Sequence, residues 1–512
     1  MVRSRAKIST IYPPAVNDLW TGQQQRRLRQ RVVPVTDPAR RLAVSLVGVA
    51  HFDLAIIGTG SGNSLVTPDF DGKRVAIIES GTFGGTCINV GCIPTKMYVY
   101  AADVANTITH AARYGIDATL DGVRWPDIRD RIFGRIDPIS ESGKDYRVNG
   151  RNTTAFLGHA TFTGPNRLQV DTRDEATGVE TRHEVTADQI VIAAGAHPDV
   201  PTAIAQADVS FHTSDTVMRL GELPRRLLIL GSGFIAAEFA HIFSALGSQV
   251  TVVARYDALL RQLDTEISQR FTTIAQEQWD VRLNTALTKV SGDKSEVRLD
   301  FVDGSYAVGD VLLVATGRLP NTADLGLEHA GVATHEDGRV KVDEHGRTNV
   351  DGVWALGDVS SDYQLKHVAN HEAHVVAHNL AHPDNLRSFD HRFVPQAVFT
   401  SPQIASVGLT EEQLKAQGRK YVTKSQAYGD TAYGWAMEDT TGVCKVIADP
   451  ATGELLGAHL MGAQASNLIQ PLIQGMSFGE TVTEMARGQY WIHPALSEVV
   501  ENALLGLDLD PQ

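Results

Sequence analysis

Apolar residues along this chain gather in short runs, most of them closed by glycine. HFDLAIIGTGSGN (51–63) is a run of strand length followed by a Gly-rich turn. KRVAIIES (73–80) is a second such run, with Glu79 at its end. The order recurs in RRLLILGSGFIAAEFAHIFSALGSQVTVVAR (225–255), as strand, Gly-rich turn, helix and strand. VIAAGAHPDVP (191–201) and VLLVATGRLPN (311–321) close the two units, and carry Gly195 and Gly317. GVWALGDVS (352–360) is a further strand that delivers Asp358 at its carboxyl end, the edge at which open α/β sheets take ligands. Strands alternating with helices in this way predict an α/β fold. A chain of 512 residues predicts more than one domain, because single cores seldom grow past about 250–300 residues. No run approaches the roughly 18 unbroken apolar residues of a membrane span.

The two Gly-rich turns suit dinucleotides. Gly58 and Gly60 take the first two positions of G-x-G-x-x-G, while the sixth is Asn63, with Gly62 just before it. Glu79 follows about 20 residues after the first glycine, where an acid takes a ribose hydroxyl. Such glycines let backbone approach a pyrophosphate held at a helix N-terminus. In the second unit Gly231 and Gly233 are followed by Phe234, and Ala236 stands in for the third glycine. Its second strand ends in Ala254-Arg255, with no acid where NAD would need one. Arg255 and Arg261 are cations suited to a ribose 2′-phosphate, which points to NADPH. Two dinucleotide sites in one chain imply a flavin that stays, FAD, and a nicotinamide that visits.

Charge alters the picture at one end. The first 50 residues hold nine Lys or Arg against Asp18 and Asp37, without clear periodicity, and are expected to form a basic, disordered extension. LAVSLVGVA imitates a signal peptide, but the charged region before it is too long. The whole chain carries a net charge of -14, which argues against a nucleic-acid or anionic-membrane partner. Three cysteines are too few for a secreted disulfide scaffold, so a cytoplasmic setting is expected.

Two of those cysteines, Cys87 and Cys92, stand five apart in GGTCINVGCIPTK. Disulfide Cα atoms lie about 4.4–6.8 Å apart. Residues i and i+5 lie about 8–9 Å apart in a helix and roughly 16 Å apart in a strand. A bond between them needs a bent segment, and Gly91 supplies permissive backbone. A zinc site needs about four ligands and no second pair exists, so no metal is expected. The pattern favours a redox dithiol, with Cys444 a core residue in VCKVIAD. A reduced pair needs a proton donor, and YWIHPALSEVVENALLG (490–506) offers His493 with Glu498 to orient it. His367, His371 and His374 share one helical face in HVANHEAH, read as a helix beside the flavin.

Together these motifs resemble the pyridine nucleotide-disulfide oxidoreductases, the class of glutathione reductase and dihydrolipoamide dehydrogenase, over about residues 51–506. GGTCINVGCIPTKMYVYAADVA, YGWAMEDT and MARGQYWIHPALSEVVENALLG look most like the mycothione reductases within it. The resemblance implies two Rossmann-like domains, for FAD and NADPH, plus a C-terminal α+β dimerisation domain. Expected boundaries are 1–50 (extension), 51–200 (FAD, first part), 201–320 (NADPH), 321–390 (FAD, central part) and 391–512 (dimerisation). It implies that Cys92 faces the flavin and that Cys87 attacks the substrate. Lys96 would lie beside the flavin, paired with Glu238, and Phe234 would cover the nicotinamide pocket. Asp358 would bind the ribityl or phosphate side. His493 and Glu498 would serve the other subunit's cysteines in a homodimer. The substrate implied is a small-molecule disulfide, mycothione, and Tyr98, Tyr100, Gln489 and Tyr490 suit its hydroxyl groups. A lipoamide- or glutathione-type enzyme of the same class is the alternative.

Overall fold

The structure, a computed structural model, describes residues 45–511 apart from Glu175 and Lys294. Residues 1–44 of the expected basic extension lie outside the described residues. Its last six residues do not belong to an extension. They begin the strand Ser45–Ile57, and Ser45, Leu46 and Val47 pair with Thr181, Arg182 and His183 across a register shift.

Ser45–Ile57 lies between Val75–Glu79 and Glu180–Ile192, parallel to both. Val353–Ala355 adds to Glu180–Ile192, and Thr153–Gly164 adds to Val75–Glu79, again in parallel. Strands buried on both faces read as unbroken apolar runs, and Val75, Ala76, Ile77 and Ile78 are all buried. Arg167–Arg173 joins the sheet antiparallel to two of these strands. Chain entering at Ser45 and again near Val353 thus builds a single layer.

A second parallel sheet runs Val311–Val314, Arg226–Leu230, Gln249–Val253, Asp280–Arg282. The helix Phe234–Ala245 covers it, with Phe239, Ile242 and Phe243 buried. Ala196–Pro198 and Arg318–Pro320 pair antiparallel, just after Gly195 and Gly317, and so carry the chain between the two parallel sheets. The C-terminal part is a five-stranded antiparallel sheet, from Gln396–Val398 to Val422–Ala427, packed against helices that include Glu498–Leu505. Cys444 is fully buried there, and burial pushes its thiol up to about 12.

The first glycine turn departs from expectation. No α-helix follows it, only the 3-10 stretch Ser61–Leu65 and a second one, Pro68–Phe70. Proline in the interior of a helix removes a backbone donor and clashes with the preceding turn. Among the described residues, no helix is long and apolar enough to cross a membrane.

Candidate active site

The cysteine segment folds back as the five-residue spacing requires. Cys87 lies on the short helix Gly85–Asn89, the chain breaks at Val90 and Gly91, and Cys92 opens the helix Cys92–Thr109. A Cβ on Gly91 would stand 2.9 Å from the Thr86 carbonyl oxygen and 3.2 Å from Cys87 Cα. Glycine is therefore what lets the segment double back. Both cysteines are free thiols, Cys87 half-buried and Cys92 exposed.

Their environments separate the two sulfurs. The Cys92 thiol is lowered to about 7, first by the hydrogen bond that Cys87 donates and then, against burial, by the Lys96 ammonium. A helix N-terminus also favours a thiolate. Cys87 is raised, by the same hydrogen bond and by burial. The negative charge of the reduced pair thus rests on Cys92.

Lys96, one turn further along, lies 2.5 Å from Glu238 Oε2, and Glu238 is buried on the helix that follows the second glycine turn. The other carboxylate oxygen accepts from the Phe399 amide at 3.0 Å, while the Lys96 ammonium stands 4.5 Å from the Phe399 ring centre. The sequence suggests the pair but not Phe399, which no motif marks.

The cysteine loop meets the first glycine turn backbone to backbone. A Cβ on Gly85 would fall 2.6 Å from Gly60 Cα. Gly58 has φ +103°, and a Cβ there would strike the Ala193 carbonyl at 2.3 Å. At Gly62 it would meet Ala193 Cβ at 2.8 Å and Ile56 Cγ2 at 3.0 Å. Close packing against the strand, the usual task of a third glycine, therefore falls to Gly62. Asn63 takes another role, accepting from Arg147 Nε and Nη2 at 2.7 Å through its side chain and its carbonyl. Glu79 accepts from the Thr59 amide at 3.0 Å and the Gly81 amide at 2.8 Å, at the mouth of the same turn. Asn89 is a residue that pattern reasoning missed. Its buried amide donates to the Phe83 carbonyl at 2.8 Å and the Gly85 carbonyl at 3.0 Å. These bare-backbone cradles fit a dinucleotide pyrophosphate.

Asp358 stands half-buried after Val353–Ala355, where burial raises its carboxyl and Arg318 opposes the rise. Below it, Glu372 accepts from the Gly357 amide at 2.7 Å and lies 3.0 Å from His391. The helix Lys366–Ala381 carries His367, His371 and His374. His371 accepts from the Asp390 amide, and His367 bonds the Pro395 carbonyl, so both serve local packing.

In the second unit Gly231 has φ +145°, and a Cβ there would lie 2.1 Å from the Ala315 carbonyl. Gly233 caps the helix that begins with Phe234, which is 43% exposed and free to cover a ligand, and Ala236 is buried behind it. The Arg255 and Arg261 guanidinium carbons stand 4.9 and 3.9 Å from the Tyr256 ring centre. Among the described residues neither arginine pairs with a carboxylate.

His493 Nδ1 lies 2.5 Å from Glu498 Oε1, and the ring is largely exposed. It makes no hydrogen bond to either cysteine of its own chain. Exposed Phe478, Tyr490 and Ile492 lie in the same C-terminal part. Of the four candidates for substrate hydroxyls, Tyr98 is corrected. It is fully buried, stacked 4.9 Å from Trp125, and donates to the Met218 carbonyl at 2.6 Å. Tyr100, Gln489 and Tyr490 are exposed.

Residues 52–373 match the pyridine nucleotide-disulphide oxidoreductase family, and residues 394–504 match its dimerisation domain. A mycothione reductase of Mycobacterium tuberculosis is 58% identical over 89% of this chain and 99% of its own. A dihydrolipoyl dehydrogenase of Corynebacterium glutamicum is 33% identical over 89% and 98%. The flavoprotein disulfide reductase RclA of Escherichia coli superposes with a TM-score of 0.77 at 30% identity, over 89% of this chain and 99% of its own.

Proposed function

The chain belongs to the pyridine nucleotide-disulphide oxidoreductase family, and on that premise we propose that it is an FAD-dependent enzyme that uses NADPH to reduce mycothione to two mycothiols. One observation carries the proposal. A cysteine pair with its charge on Cys92 lies one glycine contact, Gly85 to Gly60, from a dinucleotide-binding turn.

Gly58, Gly60, Gly62, Glu79, Gly195 and Asp358 would hold FAD. Gly231, Gly233, Phe234, Ala236, Arg255, Arg261 and Gly317 would hold NADPH, the two arginines taking its 2′-phosphate. When bound, the flavin passes two electrons from the nicotinamide to the cysteine pair. Lys96 and Glu238 hold the cationic side of that contact. Cys87, rid of its proton, attacks one sulfur of the substrate and forms a mixed disulfide. His493 of the partner subunit, oriented by its carboxylate, protonates the first thiol to leave. Cys92 then attacks Cys87, and the second thiol leaves as the cysteines rejoin. One NADPH and one proton are consumed for each disulfide cleaved. The match to a dimerisation domain and the exposed Phe478, Tyr490 and Ile492 support a homodimer with shared sites. A dithiol that must return to its reduced state suits the cytoplasm.

Mycothione rather than another disulfide is supported by the 58% identity to a mycothione reductase, against 33% for a dihydrolipoyl dehydrogenase. The test is NADPH oxidation with mycothione, glutathione disulfide and lipoamide at matched concentrations. Mycothione should turn over faster by orders of magnitude, because a site built for hydroxyl groups rejects ligands that lack them. Comparable turnover of either rival would move the assignment within the family.

A further inference from the structure

The first glycine turn has a weakness and, beside it, a charge. Pyrophosphate binding in this architecture draws on the helix that follows the turn, whose aligned peptide dipoles sum at its N-terminus. Here that helix is missing, since Ser61–Leu65 is a five-residue 3-10 stretch ending before Pro68. So few peptide units sum to little charge. The turn instead receives a cation from far along the chain. Lys366, first residue of the helix Lys366–Ala381, places its Nζ 2.8 Å from Ser61 Oγ. Ser61 is the residue directly after Gly60. Its hydroxyl proton goes to Asn370 Oδ1 at 3.1 Å, one turn along the same helix, which leaves its lone pair for the ammonium. Lys366 is half-buried, no acid lies in the first turn of its helix, and among the described residues it pairs with no carboxylate. Its charge reaches Asp358 and Cys87, but its one hydrogen bond is to a serine hydroxyl, which leaves donors of a part-buried ammonium for an anion.

We propose that Lys366 is a cofactor-binding residue whose ammonium takes a phosphate oxygen of FAD over the first glycine turn. It replaces the charge that a full helix would have supplied. Ser61 and Asn370 are the positioning residues that aim it. The inference rests on FAD as the occupant of this turn and adds a named contact to it.

The experiment measures FAD dissociation constants by flavin fluorescence on dilution of the holoenzyme, at low and high salt, for the native protein, Lys366→Met and Lys366→Arg. Loss of one charge-assisted contact predicts about ten- to hundredfold weaker binding in Lys366→Met at low salt. The loss should narrow at high salt, and Lys366→Arg should restore most of it. The Lys366 charge also reaches Cys87, so the loss of affinity and its salt dependence, not the flavin midpoint potential, carry the test. Ser61→Ala supplies an independent measurement that leaves Lys366 in place. It should weaken FAD less, and add nothing when combined with Lys366→Met. Native affinity in Lys366→Met, or full additivity with Ser61→Ala, would each overturn the proposal. A native protein that binds no flavin would instead refute the functional assignment itself.

Discussion

A single methyl group at residue 85 would keep the two halves of the site apart. Gly85 has φ +74°, and its missing Cβ would sit 2.6 Å from Gly60 Cα. Gly85→Ala should therefore cost about 1–3 kcal/mol of stability and release flavin, readable by denaturant titration and fluorescence. Normal flavin retention would show that the loops do not need this approach. Lys96 tests the charge on Cys92, whose thiol is lowered to about 7 partly by that ammonium. The thiolate exists above that pH and is lost below it, so the thiolate–flavin absorbance of the reduced enzyme should fall as pH drops through about 7. Lys96→Met should move the midpoint upward, and an unmoved midpoint would remove Lys96 from the account. Removing Arg255 and Arg261 together should weaken NADPH by about 1.5–3 kcal/mol per contact and NADH little, in parallel kinetics with the two cofactors. Much at this scale is legible in the chain. Glycines at 58, 85 and 91 stand where only bare backbone fits, and such needs leave their mark on residue type. Lys366, Phe399 and the true face of Tyr98 are set by contacts across 120 to 305 positions, which no local pattern encodes.

Elements show the same division. Apolar runs closed by glycine predict the parallel strands, because a strand buried on both faces must be apolar throughout. The strand start at Ser45 is hidden, since its first residues are held by the distant Thr181–His183 stretch. The missing first helix is foreshadowed only by Pro68. Between the second parallel sheet and the C-terminal sheet lies a buried charge cluster. Lys445 on Val443–Ala448 lies 2.7 Å from Asp264, the N-cap of Thr265–Gln278, and 2.5 Å from Glu411. Lys445 and Asp264 are both almost fully buried. Lys445→Ala leaves the carboxylates without a cation and should cost about 3–5 kcal/mol in denaturant unfolding. A change below 1 kcal/mol would mean that water reaches the cluster.

At the scale of the whole molecule, the cysteines lie near the start of the described chain and the His493–Glu498 pair near its end, with no hydrogen bond between them in one subunit. Mixing Cys87→Ser chains with His493→Ala chains should restore part of the activity, because one of the two sites in the hybrid dimer is intact. Failure of complementation in a proven hybrid would place both groups in one subunit.

The mechanism requires unequal roles for two cysteines five residues apart, and the visible spectrum of two variants tests that most directly. Cys87→Ser should show a long-wavelength thiolate–flavin band without any reductant, growing as pH rises and Cys92 ionises. Cys92→Ser should show none at any pH. The band in Cys92→Ser, or its absence from both variants in flavin-loaded protein, would contradict the assignment of charge to Cys92 and the mechanism built on it.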